Sequence, residues 1–117
     1  MSSVQILHNP RCSKSRQTLQ LLQENGIEPH ITEYLKHPLT EDELNTIFEK
    51  LGCNSVLDML RTKEPEFAQA GLDKNNVETR QGLEAIAKYP KLLERPIVIK
   101  DNQARIGRPP EAVMELF

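Results

Sequence analysis

The chain has no tryptophan, and aromatic residues fill only 4 % of its 117 positions. That leaves little with which to stack nucleic-acid bases. Nor is there an excess of one charge: 15 Lys and Arg against 17 Asp and Glu give a formal net charge of −2. So balanced a chain offers no broad field for nucleic acid, although a local basic cluster still suits a small anion. No apolar run reaches the length of a membrane-spanning helix, so no membrane partner is expected. Met1 leads directly into a strand-like segment, so no signal peptide is expected either. The cysteines number only 2, Cys12 and Cys53, too few and too far apart for a disulfide framework. Reduced thiols and a cytoplasmic location follow as expectations. The length suits one domain, residues 1–117, with a modest core.

The apolar residues that are present follow clear periods. Val4-Gln5-Ile6-Leu7 is short and β-prone, and Asn9-Pro10 breaks it. From Ser13 to Asn25 the pattern is helical, with Leu19 and Leu22 three apart and Gly26 as a stop. Residues 29–34 predict a second strand. Thr40 before Glu41-Asp42-Glu43 is a strong helix start, and Leu44, Ile47, Phe48 and Leu51 follow at helical spacing. Short helices are expected after Ser55 and from Pro65 to Gly71. A longer one is expected from Glu78 to Lys88, with Leu83, Ile86 and Ala87 on one face. Residues 96–100 and 103–107 predict two strands around an Asp101-Asn102 turn, and Pro109-Pro110-Glu111 begins a last helix. The order, β-α-β, helices, β-β-α, predicts an α/β, thioredoxin-like fold with a mixed sheet. Its helical insertion, at about 40–90, separates the two halves.

One loop concentrates reactive chemistry. In "HNPRCSKSR", Cys12 sits where the first strand gives way to a helix, among Arg11, Lys14 and Arg16 and with no acid beside it. A free thiol is only about 3 % thiolate at pH 7, and lowering its pKa by two units takes about 2.7 kcal/mol. A helix N-terminus typically supplies about 0.3–1 kcal/mol to a charge there. Other groups must supply the rest, and His8, Ser15 and the local bases are the sequence neighbours available. A small buried hydrophobe is the alternative role for any such cysteine. Cys53, after Gly52 and with no basic cluster, reads as structural. Cys12-Ser13-Lys14-Ser15 is C-x-x-S, so Ser15 cannot resolve a disulfide but is able to donate a hydrogen bond to the thiolate. The second thiol would have to come from Cys53 after a rearrangement, or from outside, where glutathione is the natural cytosolic candidate. Three distant arginines, Arg61, Arg95 and Arg108, stand near element ends. Guanidinium groups suit a tetrahedral oxyanion, although each alone reads equally as an exposed surface residue. Arg80 and Arg105 read as surface residues.

Together "HNPRCSKSR", "LDMLRTKEPEF" (Leu57 to Phe67), "ERPIVI" and "ARIGRPPE" resemble the ArsC (arsenate reductase) family, most of all its shorter, YfgD-like members. The resemblance covers nearly the whole chain. It implies that Cys12 is the nucleophile that attacks arsenate, with His8 and Ser15 tuning its thiolate. It implies that Arg61, Arg95 and Arg108 bind the oxyanion, and that Pro96 is a cis-proline beside the cysteine. Glutathione would serve as co-substrate and glutaredoxin as partner. No tightly bound cofactor and no metal are expected, and the protein would be a monomer. Two other readings compete. A glutaredoxin-like thiol-disulfide oxidoreductase would exchange with glutathione disulfides and leave arsenate alone. An Spx-type transcriptional regulator would bind RNA polymerase, but that type senses oxidation through C-x-x-C, where this chain has Ser15.

Overall fold

The computed structural model describes residues 4–117; Met1 and the link from it into the first strand lie outside the described residues. Four strands form one mixed sheet: β1 (Val4–Leu7), β2 (His30–Thr32), β3 (Ile97–Lys100) and β4 (Gln103–Ile106), in the order β2-β1-β3-β4. β1 runs parallel to β2 and antiparallel to β3, and β3 is antiparallel to β4. The parallel pair needs a crossover, and helix α1 (Ser13–Glu24) supplies it. The expected α/β class and β-α-β, helices, β-β-α order are thus observed. The second strand is shorter than its sequence pattern predicts, because residues 33–37 turn away from the sheet once Thr32 has paired with Leu7.

The chain divides into two compact units. One holds the residues up to His37 together with Arg95–Phe117, and the other is Pro38–Glu94. The core of the first joins Ile6 and Val98 of the sheet to Leu22 of α1 and to Val113 and Leu116 near the C-terminus. The last segment, Pro110–Leu116, is a 3-10 helix. Its period of three brings Pro110, Val113 and Leu116 onto one buried face, which an α-helical period would spread apart. Truncating Leu22 to Ala in this core is worth about 2–5 kcal/mol.

The second unit is helical: α2 (Glu41–Leu51), α3 (Pro65–Gln69) and α4 (Thr79–Lys88), with 3-10 turns at Val56–Met59 and Pro90–Leu92. The start of α2 is fixed by a reciprocal cap. The Glu43 N–H donates to Thr40 Oγ1 and the Thr40 N–H to Glu43 Oε1, both at 3.1 Å. Such a cap contributes about 1 kcal/mol. Helix α4 buries Gly82, Leu83, Ala85 and Ile86, and Ala87 is only half-buried. This stripe differs from the predicted one because α4 packs on both α2 and the turn at Val56. A Cβ on Gly82 would lie 2.7 Å from both Val56 methyl carbons.

Candidate active site

The register of β1 against β3 assembles the site. Leu7, the last residue of β1, pairs with Ile97, the first of β3. The residues after Leu7 and those before Ile97 therefore emerge at the same end of the sheet. One segment carries His8 to Cys12, the other Arg95 and Pro96. β4 completes that end. Its last residue, Ile106, pairs with Ile97, and the Gly107 N–H donates to the Pro96 carbonyl at 2.8 Å. The Arg95–Pro96 and Arg108–Pro109 peptide bonds are both cis, and no sequence expectation covered the second.

The loop to Cys12 is held by its own backbone. The His8 N–H donates to the Thr32 carbonyl at 2.9 Å, carrying the sheet ladder one residue past Leu7. Asn9-Pro10-Arg11-Cys12 is a tight turn, with the Cys12 N–H donating to the Asn9 carbonyl at 3.0 Å. Asn9 Oδ1 also accepts from the Arg11 N–H at 3.0 Å. Asn9 was legible only as part of a chain-breaking dipeptide. Arg16 Nη1 donates to the Pro10 carbonyl at 3.0 Å, so this base fastens the loop to the first helical turn. Arg11 and Lys14 are exposed.

Cys12 is the N-cap of α1 and makes no side-chain cap bond to the helix as an acceptor of the usual oxygen type. The first turn of α1 contains no acid, whereas that of α2 contains three, Glu41, Asp42 and Glu43. The helix start therefore keeps its positive end for the sulfur. Burial pushes the half-buried Cys12 thiol up. The Ser15 N–H, the Arg95 guanidinium through both a hydrogen bond and its charge, and the Lys14 N–H pull it down, and the net effect is a lowered pKa. Arg95 is thus the distant residue that supplements the helix terminus.

Ser15 acts on the sulfur differently from the expected hydroxyl bond. Its backbone N–H faces Cys12. Its fully buried side chain pairs with His8 instead: Oγ lies 2.7 Å from His8 Nδ1 and accepts from the Asn9 N–H at 3.0 Å. The reason is helical geometry: a side chain at this position leans back toward the loop and the core. His8 is buried as well, and its pKa is lowered by that burial, with Glu33 opposing and Arg16 adding to the effect. Burial thus favours the neutral imidazole.

Arg108 is exposed and lies close to Arg95: its Nε donates to the Arg95 carbonyl at 2.9 Å. Arg61 belongs to the second unit, where its guanidinium pairs with Glu64 at 3.0 Å. The structure thus brings His8, Cys12, Ser15, Arg95, Pro96 and Arg108 into one unit. Cys53 lies in the other, half-buried, its thiol pushed up by burial and by Asp58. Arg80 is exposed and paired with Glu84, and Arg105 pairs with Glu115. Among the described residues no group of three or more His, Cys, Asp and Glu is arranged to hold a metal ion. A lowered thiol beside a guanidinium can attack an electrophilic centre that carries anionic oxygens, because the guanidinium offers those oxygens paired donors.

Comparison with known proteins gives a consistent picture. The model of the ArsC family matches residues 7–116. An arsenate reductase of Haemophilus influenzae is 46 % identical over 115 residues, 98 % of this chain and 99 % of the relative. The Escherichia coli K12 protein YfgD is 45 % identical over 113 residues, 97 % of this chain and 95 % of the relative. The solved structure of an arsenate reductase from Vibrio cholerae matches with a TM-score of 0.94 at 44 % identity, covering 98 % of each chain.

Proposed function

The chain belongs to the ArsC family, and on that footing we propose that it reduces arsenate to arsenite through the thiolate of Cys12. The observation that supports this most is the Arg95 guanidinium on the Cys12 sulfur, at a helix start that carries no acid. The thiolate attacks arsenic, an As–S bond forms, and water or hydroxide leaves. Arg95 and Arg108 are the proposed ligands of the oxyanion. Pro96, buried beside Arg95, shapes the wall next to the sulfur.

Ser15 cannot provide a second thiol, so external thiols complete the reaction. Glutathione displaces an oxygen of the arsenylated Cys12. Glutaredoxin's thiolate then attacks the glutathione sulfur, a mixed disulfide forms, and the electron pair of the broken As–S bond stays on arsenic. Arsenic is thereby reduced from As(V) to As(III), and water releases arsenite from Cys12. His8 and Ser15 hold the loop that presents the sulfur. The same reading places the protein in the cytoplasm, as a monomer with no resident cofactor or metal and no nucleic-acid or membrane partner. Among the described residues no helix is long and apolar enough to cross a membrane.

Thiol exchange with glutathione disulfide uses the same sulfur, and mass spectrometry separates the two chemistries. Protein treated with arsenate plus glutathione should carry arsenic on the Cys12 peptide, and Arg95→Ala should carry much less. Glutathionylation of Cys12 by oxidised glutathione with no arsenic uptake under the first condition would favour the exchange reading.

A further inference from the structure

A Cβ added to the buried Gly107 would lie 2.7 Å from Thr18 Oγ1, 2.8 Å from Pro96 Cγ and 3.3 Å from Thr18 Cγ2. The first two distances are too short for any real side-chain carbon. Neither neighbour is free to retreat. Thr18 is fully buried, stiff at χ1 as a β-branched residue, and held by its Oγ1 donating to the Lys14 carbonyl at 2.9 Å. Pro96 is a buried ring whose carbonyl accepts from the Gly107 N–H.

These neighbours lead to the two groups that face each other at the sulfur. Thr18 lies one helical turn beyond Lys14, in the helix that Cys12 caps. Pro96 directly follows Arg95. Gly107 therefore fills the layer between helix α1 and the β3 entry. We infer that Gly107 is a positioning residue whose missing side chain sets the spacing between α1, which carries Cys12, and the segment that carries Arg95. A methyl group there pushes the two apart and weakens the hold of the guanidinium on the sulfur. Gly107 has an ordinary φ, so this is a demand of close approach and not of backbone conformation.

The inference rests on Cys12 working as a thiolate, and its test needs no arsenate, so it can fail while the reductase reading stands. The Cys12 alkylation rate is followed against pH by mass spectrometry of its peptide, with Cys53→Ser as background. Gly107→Ala should slow alkylation at pH 7 about three- to tenfold and move the inflection upward. Adding Thr18→Ala, which removes both Thr18 atoms the methyl meets, should restore much of the rate. If Gly107→Ala does not fold, Thr18→Ile and Thr18→Val are compared: both lack the hydroxyl, but only isoleucine adds a carbon on the arm that faces Gly107. Isoleucine should then be the slower. A folded Gly107→Ala with the parent pH profile, or identical profiles for the two Thr18 variants, would overturn the inference.

Discussion

Arg108 donates from Nε to the backbone carbonyl of Arg95 at 2.9 Å, so one arginine braces the segment that presents the other. Arg108→Ala should therefore raise the arsenate KM about tenfold or more, the equivalent of one lost charge-assisted hydrogen bond. Arg108→Lys should recover only a minor part, since an ammonium has no side-on N–H to reach the carbonyl while facing an anion. Steady-state kinetics of the two variants check this. An Arg108→Lys enzyme with the parent KM would remove the bracing role.

Ser15 provides a separation of roles. Ser15→Ala leaves the buried Asn9 N–H and His8 Nδ1 without their shared partner, which should destabilise the fold by about 1–3 kcal/mol in urea denaturation. The backbone N–H that faces Cys12 remains. The pH profile of Cys12 alkylation should stay within about twofold of the parent, because the groups that stabilise the thiolate are kept. A Ser15→Ala profile displaced as far as that of Arg95→Ala would return the hydroxyl to the sulfur.

The buried His8 makes stability depend on pH. Its folded pKa lies below the ordinary 6.5, so the unfolded chain binds the proton more readily. The stabilising contribution is present above pH 6.5 and is lost as pH falls from there through the folded value. Tm should drop on acidification across that window, and His8→Gln should show a shallower drop. Parallel Tm curves for the two proteins would contradict this.

The sequence made β1, α1 and the start of α2 readable because their signals are local: a short apolar run, a Gly26 stop, and a Thr40–Glu43 cap. The buried face of α1 was not readable in the same way. Ser15 and Thr18 point inward with Leu22 because their partners are His8 and the Gly107 layer, neither of which helical spacing reveals. Cys12 stood out by its basic, acid-free neighbourhood, yet the groups that pull its thiol down are the Ser15 and Lys14 backbone N–H groups and a distant guanidinium, not the side chains of Arg11, Lys14 and Arg16. That guanidinium is Arg95, and its approach depends on Leu7 pairing with Ile97 across ninety residues of chain. Its place before Pro96 marked Arg95 as a candidate and the family resemblance gave it the oxyanion, but only the pairing of β1 with β3 brings it to the end of the sheet where Cys12 lies.

Arsenate reduction stands or falls with the Cys12 sulfur. The deciding measurement is arsenite formation at saturating arsenate with glutathione and glutaredoxin, comparing the parent chain with Cys12→Ser. Steady turnover is expected for the parent and background for Cys12→Ser, with Cys53→Ser close to the parent. A parent rate no higher than that of Cys12→Ser would contradict it.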